Sequence, residues 1–208
     1  MSNLIFMDVG ANTGQSLEAA LLYPFDTIYC FEPVKKFYSE LTKVARNNFK
    51  GSVIFNNFGL YNDHKRLPIY GPVDGPDGYA ASIYSDHQDV KDGIEMCTFL
   101  DVNDWMRTNL SYGDAVIMKL NCEGAEVDIV NRLLDTNIFR YMANVMIDFD
   151  AVKIPSKKAE VAPLMTRLKP FKNYVLAEQV MHGATHKDRI CNWLNKLGLK
   201  QNEQVAKS

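Results

Sequence analysis

The stretch FMDVGANTGQS, Phe6 to Ser16, joins an apolar run to a glycine turn and then to a helix-compatible segment, Gln15 to Leu22. Strand, turn and helix in that order are the first unit of a sheet wound with helices. The unit repeats downstream. Thr27 to Phe31 (TIYCF) is β-rich, and after Glu32-Pro33 the segment Val34 to Asn48 carries Phe37, Leu41, Val44 and Ala45 at helical spacing. Ser52 to Phe55 (SVIF) reads as a third strand. Regular pattern returns at Met96 to Leu100, followed by a short helix, Asp101 to Arg107, with Asp101 as its cap. Ala115 to Leu120 (AVIMKL) is a fourth core strand, and Asn121-Cys122-Glu123-Gly124 turns the chain into a helix presenting Val127, Val130, Leu133 and Leu134. Asn144 to Phe149 is a fifth strand, Lys157 to Leu168 a helix that Pro163 is expected to kink, Tyr174 to Ala177 a sixth strand, and Lys187 to Leu197 the last helix.

Such alternation predicts an α/β fold, a Rossmann-like and mostly parallel sheet with helices on both faces. Ligands of such sheets sit beyond the carboxyl ends of the strands, and Asp8, Glu32, Asn57 and Asn121 fall at or near those ends. Between Tyr61 and Asp92 the helical pattern lapses into turn-rich sequence, with Arg66 to Tyr70 as one edge strand. We read this as an irregular insertion in a single domain, which is what 208 residues allow.

Composition narrows the class. The chain is 47% hydrophobic and 23% charged, and no apolar run approaches the roughly 20 residues that span a bilayer, so no membrane partner is expected. The start, MSNLIFMDV, lacks the charged and cleavable parts of a secretory signal, which points to the cytoplasm. A net charge of −2 gives no attraction to a phosphate backbone, and nucleic acid is not expected as a partner. Cys30, Cys97, Cys122 and Cys191 are too scattered to signal zinc or a disulfide framework.

Three ligands compete for the first turn. A phosphate-binding loop needs Lys-Ser/Thr after its last glycine, where Gln15-Ser16 stand; a dinucleotide fingerprint needs G-x-G-x-x-G, where Asn12 takes the middle glycine's place. S-adenosylmethionine carries no phosphate but an ammonium, a carboxylate and a sulfonium. Asp8 would favour the ammonium, Gly10 and Gly14 would permit close approach, and amides at the following helix N-terminus would take the carboxylate. Glu32, 18 positions after Gly14, has the spacing of a carboxylate that accepts from ribose hydroxyls, a contact that suits NAD as well.

FMDVGANTG, YCFEP and MKLNCEGAE together resemble the three landmarks of the FkbM-type methyltransferases, a class I adenosylmethionine-dependent family. The resemblance covers about Leu4 to Phe149. It implies a seven-stranded sheet with an antiparallel last strand, and methylation of hydroxyl groups on sugars or in natural-product biosynthesis. By position it implies that Asp8, Gly10, Ala11, Asn12, Thr13 and Gly14 line the methionine end, with Phe31 and Glu32 at the ribose and Asn57 and Phe58 at the adenine; Asn121 borders the active site. Where the family usually has Asp, this chain has Asn121, which removes a charge and makes metal-assisted transfer less expected. The helices that often cover the cofactor from the N-terminal side in that family are not expected here, so either the site is open, or the insertion between Tyr61 and Asp92 or a second subunit, in a homo-oligomer, supplies the lid.

Few side chains need be catalytic, since methyl transfer chiefly requires that the acceptor be positioned and sometimes deprotonated. Glu123 is the candidate base or acceptor orienter, with helix-dipole stabilisation as its bland alternative. Asn121 and His182 complete the candidate set; His182 and His186 have metal-ligand spacing, but Gly183 argues for a loop. Tyr79, Tyr84, Phe99 and Trp105 could shape an acceptor pocket, although Phe99 and Trp105 fit a core better. The basic residues from Lys153 to Lys172 read as a solvated face. The acceptor is expected to be a small molecule, or alternatively a peptide amide or amine; a module that binds adenosylmethionine without transferring its methyl group is a further alternative.

Overall fold

The computed structural model describes residues 2–46, 48–71, 80–90 and 92–202. Strands β1 (Leu4–Val9), β2 (Thr27–Phe31) and β3 (Ser52–Asn56) form one half of a central sheet; the short β4 (Gly59–Tyr61), β5 (Lys65–Gly71) and β6 (Asp92–Asp101) form a separate sheet; β7 (Ala115–Leu120), β8 (Asn144–Ile147) and β9 (Tyr174–Leu176) complete the central one. Its order is β3-β2-β1-β7-β8-β9 and every pairing is parallel. Strand order therefore reverses between β1 and β7, which opens a crevice beyond Val9 and Leu120.

Alternation along β1 divides the core in two. Ile5, Met7 and Val9 join a cluster with α3 (Val102–Asn109), α4 (Glu126–Asp135), α5 (Lys158–Leu168) and the small sheet. Phe6 joins the other cluster with α1 (Gln15–Ala20) and α7 (His186–Lys196), where it stacks near Phe25 and Trp193. Burying such aromatic and aliphatic side chains contributes roughly 1.5–3 kcal/mol each, so both faces are held by their own apolar layer. Asp101 caps α3 as expected, accepting from the amides of Asn103 (2.8 Å) and Asp104 (3.1 Å), while Arg132 of α4 binds its other oxygen at 2.8 Å. Pro163 lies inside α5 without ending it.

Four expectations are corrected. The helix foreseen over 34–48 is α2 (Lys35–Leu41), with turns after it. Residues 59–61, where no strand was expected, are β4; the edge strand expected at Arg66 to Tyr70 is present as β5, with Pro68 on it, but it belongs with β4 and β6 to a three-stranded sheet rather than to an irregular insertion. Finally, the central sheet has six strands, and no antiparallel seventh pairs with it among the described residues. From Ala177 the chain instead forms α6 (Ala177–Val180) and α7, whose Ile190, Trp193 and Leu194 are buried against the α1 face. Among the described residues no helix is long and apolar enough to cross a membrane.

Candidate functional site

Gly10 shows how tightly the two turns at the crevice meet. It has φ +78°, and a Cβ there would lie 1.9 Å from the Asn121 carbonyl oxygen, so only glycine lets the turns after β1 and β7 close on one another. The space beyond them is a cleft of about 590 Å³, open solvent at its mouth included. Gly10, Asn12, Glu32, Asn121 and Glu123 supply its polar lining, and Phe31, Val34, Phe37, Leu60, Ile69, Ile83 and Phe99 its apolar lining. A cleft of mixed polarity at the switch point is where sheets of this order bind their ligands.

The first turn consumes its own amides. Gly10 and Ala11 donate to the Phe31 carbonyl (3.1 and 2.9 Å), Asn12 to Glu32 Oε2 (2.8 Å), Thr13 to Asn12 Oδ1 (2.7 Å) and Gly14 to the Ala11 carbonyl (2.9 Å). No backbone amide from Gly10 to Gly14 is left to cradle a phosphate or a carboxylate. Glu32 also accepts from the Val34 amide at 2.8 Å, and burial pushes its carboxyl up to about 7 against the pull of these two backbone donors.

Asp8 lies beneath the turn. It is fully buried and does not line the cleft. Parallel register sets it opposite Lys119, whose ammonium is 3.1 Å from Asp8 Oδ1 and donates to the Gly10 carbonyl at 2.7 Å. Burial pulls the Lys119 pKa down, but Asp8, Cys122 and Glu32 more than offset it, and the ammonium stands above the ordinary lysine value. The charge expected to meet a ligand ammonium is thus already met from within, and its effect reaches the cleft through the position of Gly10.

Asn121 donates through Nδ2 to Asp148 Oδ2 (2.9 Å) and Asp150 Oδ2 (3.3 Å). Burial first, and then the charge of Asp150, raises the Asp148 carboxyl; burial and then Glu123 raise that of Asp150. A third carboxylate at 121 would add repulsion and remove the donor both share, which is a physical reason for asparagine here. What Asn121 can still offer a ligand is its carbonyl oxygen.

Glu123 has φ +50°, uncommon for a residue with a Cβ. Segment 80–90, the end of the insertion, holds it there: Ser82 Oγ donates to its carbonyl at 2.6 Å, and the buried His87 ring places Nε2 3.2 Å from Oε2. Ala81 and Ile83 of the same segment line the cleft, so the insertion does cover it in part. Tyr84 ties the segment to α4 through Asp128 (2.5 Å), which Lys157 also meets at 3.0 Å.

Of the residues singled out by sequence, the cleft brings together Gly10, Asn12, Phe31, Glu32, Asn121 and Glu123. Ala11, Thr13 and Gly14 belong to the turn but not to the lining. Asn57 is exposed and holds the Glu32 and Pro33 carbonyls (3.0 and 3.2 Å), and Phe58 packs against Phe31. Their neighbours Gly59 and Leu60 reach the cleft instead. His182 is exposed in the loop after α6 and is not part of the lining; His186 Nε2 lies 2.9 Å from Ser16 Oγ on the α1 side of the sheet. Phe99 lines the cleft from the core, Trp105 is core with Tyr29 and Phe31, and Tyr79 falls outside the described residues. His87 was missed because its partner lies 36 positions away across the sheet edge, and no local pattern marks it.

Comparison with known proteins leaves the reading to this geometry: no family model matches the chain, and no curated protein or solved structure matches it.

Proposed function

We propose that the protein is an S-adenosylmethionine-dependent methyltransferase acting on a hydroxyl group of a sugar or natural product, the FkbM-like activity to which its three motifs point. One observation carries the reading. Among the described residues, the cleft lining contains no lysine, arginine or histidine, presents Glu32, Glu123 and the Asn121 carbonyl as acceptors, and adjoins a turn whose amides are all engaged. A ligand seated there must bring its own hydrogen-bond donors and positive charge. Adenosylmethionine does so with ribose hydroxyls, an ammonium and a sulfonium, and its single carboxylate leaves it a net cation, whereas a doubly charged pyrophosphate would find neither cation nor free turn amide.

Glu32 would hold the ribose hydroxyls, and Asn12 and Asn121 would border the methionine end. The bound donor supplies a methyl group activated by the sulfonium. The chain's own contribution is to orient the acceptor oxygen in line with that carbon, exclude water with the apolar wall, and take the acceptor's proton, a task for Glu123. The same groups would serve an amine or amide nitrogen, the alternative acceptor.

The order of the six parallel strands favours a second reading. It is that of dinucleotide-binding sheets, and Glu32 would suit an NAD ribose; the engaged turn amides speak against it. Incubation with methyl-tritiated adenosylmethionine and a panel of sugars, polyhydroxylated natural products and peptide amines tests the transferase. Label should enter a hydroxyl acceptor as adenosylhomocysteine accumulates. Tight binding of adenosylmethionine with turnover at background for every acceptor would instead identify a binding module.

A further inference from the structure

The two carboxylates at the cleft are differently occupied. Glu32 engages each oxygen with a backbone amide. Glu123 has no lysine or arginine within ion-pair distance among the described residues, and Lys153 nearby is engaged by Asp150 (2.8 Å) and Asp89 (3.5 Å). Among the described residues, the one charged or polar side chain within ion-pair distance of the Glu123 carboxylate is His87.

The tautomer of that ring follows from its other nitrogen. Nδ1 accepts from the Asp89 amide at 3.1 Å, so the neutral imidazole carries its proton on Nε2, the atom 3.2 Å from Glu123 Oε2. Both atoms are buried and neither has a hydrogen-bond partner among the described residues, so their 3.2 Å approach is a close electrostatic contact rather than an aligned hydrogen bond. His87 thus orients Glu123 without cancelling its charge. Ser82 fixes the Glu123 backbone from the same segment, so 80–90 sets the position of this carboxylate at two points.

We propose that Glu123, oriented by His87, makes the cleft charge-selective: it favours the cationic methyl donor over the neutral thioether left after transfer, and so promotes product release. The inference rests on the methyltransferase reading. Adenosylmethionine carries one positive charge more than adenosylhomocysteine, and among the described residues the cleft lining has no cation to offset the attraction. Unit charges a few ångströms apart near a protein surface interact strongly enough for a hundredfold preference; Glu123 is 21% exposed, and screening brings the expectation to about tenfold. His87 is a positioning residue in this scheme.

The test is calorimetric titration of the full chain at neutral pH with three probes: adenosylmethionine, its analogue sinefungin with an ammonium in place of the sulfonium, and adenosylhomocysteine. The two cations should bind about tenfold more tightly than the neutral thioether. Glu123→Gln should bring all three within about threefold by weakening the cations alone. His87→Gln, whose amide N–H replaces the imidazole donor, should keep the preference; His87→Leu should lose it while adenosylhomocysteine affinity stays unchanged, a split that a purely structural role would not produce. Thermal melts check that each variant folds, and the near-isosteric Glu123→Gln decides the matter should His87→Leu not fold. Equal wild-type affinities, or a preference that survives Glu123→Gln, would overturn charge selection and leave the methyltransferase reading intact. Failure of all three probes to bind would overturn both.

Discussion

Lys119→Met should be among the most damaging single substitutions in the chain. Its ammonium lies 3.1 Å from Asp8 Oδ1 and 2.7 Å from the Gly10 carbonyl, and both charged side chains are buried. Methionine fills a similar volume but leaves the Asp8 carboxylate without its counter-charge and the Gly10 carbonyl without its donor. Breaking a buried pair costs about 3–5 kcal/mol. For a chain of this size each kcal/mol moves Tm by roughly 2–4 °C, so Tm should fall by roughly 6–20 °C. Urea unfolding with linear extrapolation measures the loss directly. The double variant Asp8→Leu/Lys119→Met removes both charges and should recover most of it, since apolar replacement of a buried pair is often neutral. A single-variant loss below about 1 kcal/mol, or a double variant as unstable as the sum of the two singles, would refute the pairing argument.

Three further outcomes follow from the carboxylates in and around the cleft. Burial raises Glu32 from 4.5 to about 7, so its contribution to stability is fully present below about pH 4.5 and is lost as pH rises through about 7; Glu32→Gln should therefore flatten the decline in Tm across that window. Ribose hydroxyls would favour its ionised form, so adenosylhomocysteine affinity should rise between pH 6 and 8 with proton release, seen as a dependence of the binding enthalpy on buffer. Asn121→Asp should destabilise the fold by roughly 1–3 kcal/mol at pH 8, because it removes the shared donor of Asp148 and Asp150, and the loss should shrink as pH falls and the raised carboxyls protonate; an unchanged urea midpoint at pH 8 would contradict this.

The central sheet was legible because its strands are short apolar runs closed by turn residues, and AVIMKL at Ala115–Leu120 needed no tertiary information. Elements of three or four residues, such as β4 and α6, carry too little period to register. The antiparallel strand was expected from resemblance alone. At the site, Gly10, Glu32 and Asn121 could be placed from strand-end position, because every parallel strand of such a sheet delivers its last residues to one edge. Asp8 shows the limit of that argument: residues of a strand alternate faces, and one step from the end it turns under the sheet toward Lys119 rather than into the cleft. His87 shows the other limit, since a contact made by an insertion has no spacing rule.

The central claim is best tested by calorimetric titration of the purified chain with adenosylhomocysteine, with NADH as control. The account predicts micromolar binding of adenosylhomocysteine and none of NADH. Binding of NADH instead, or of neither, would contradict it.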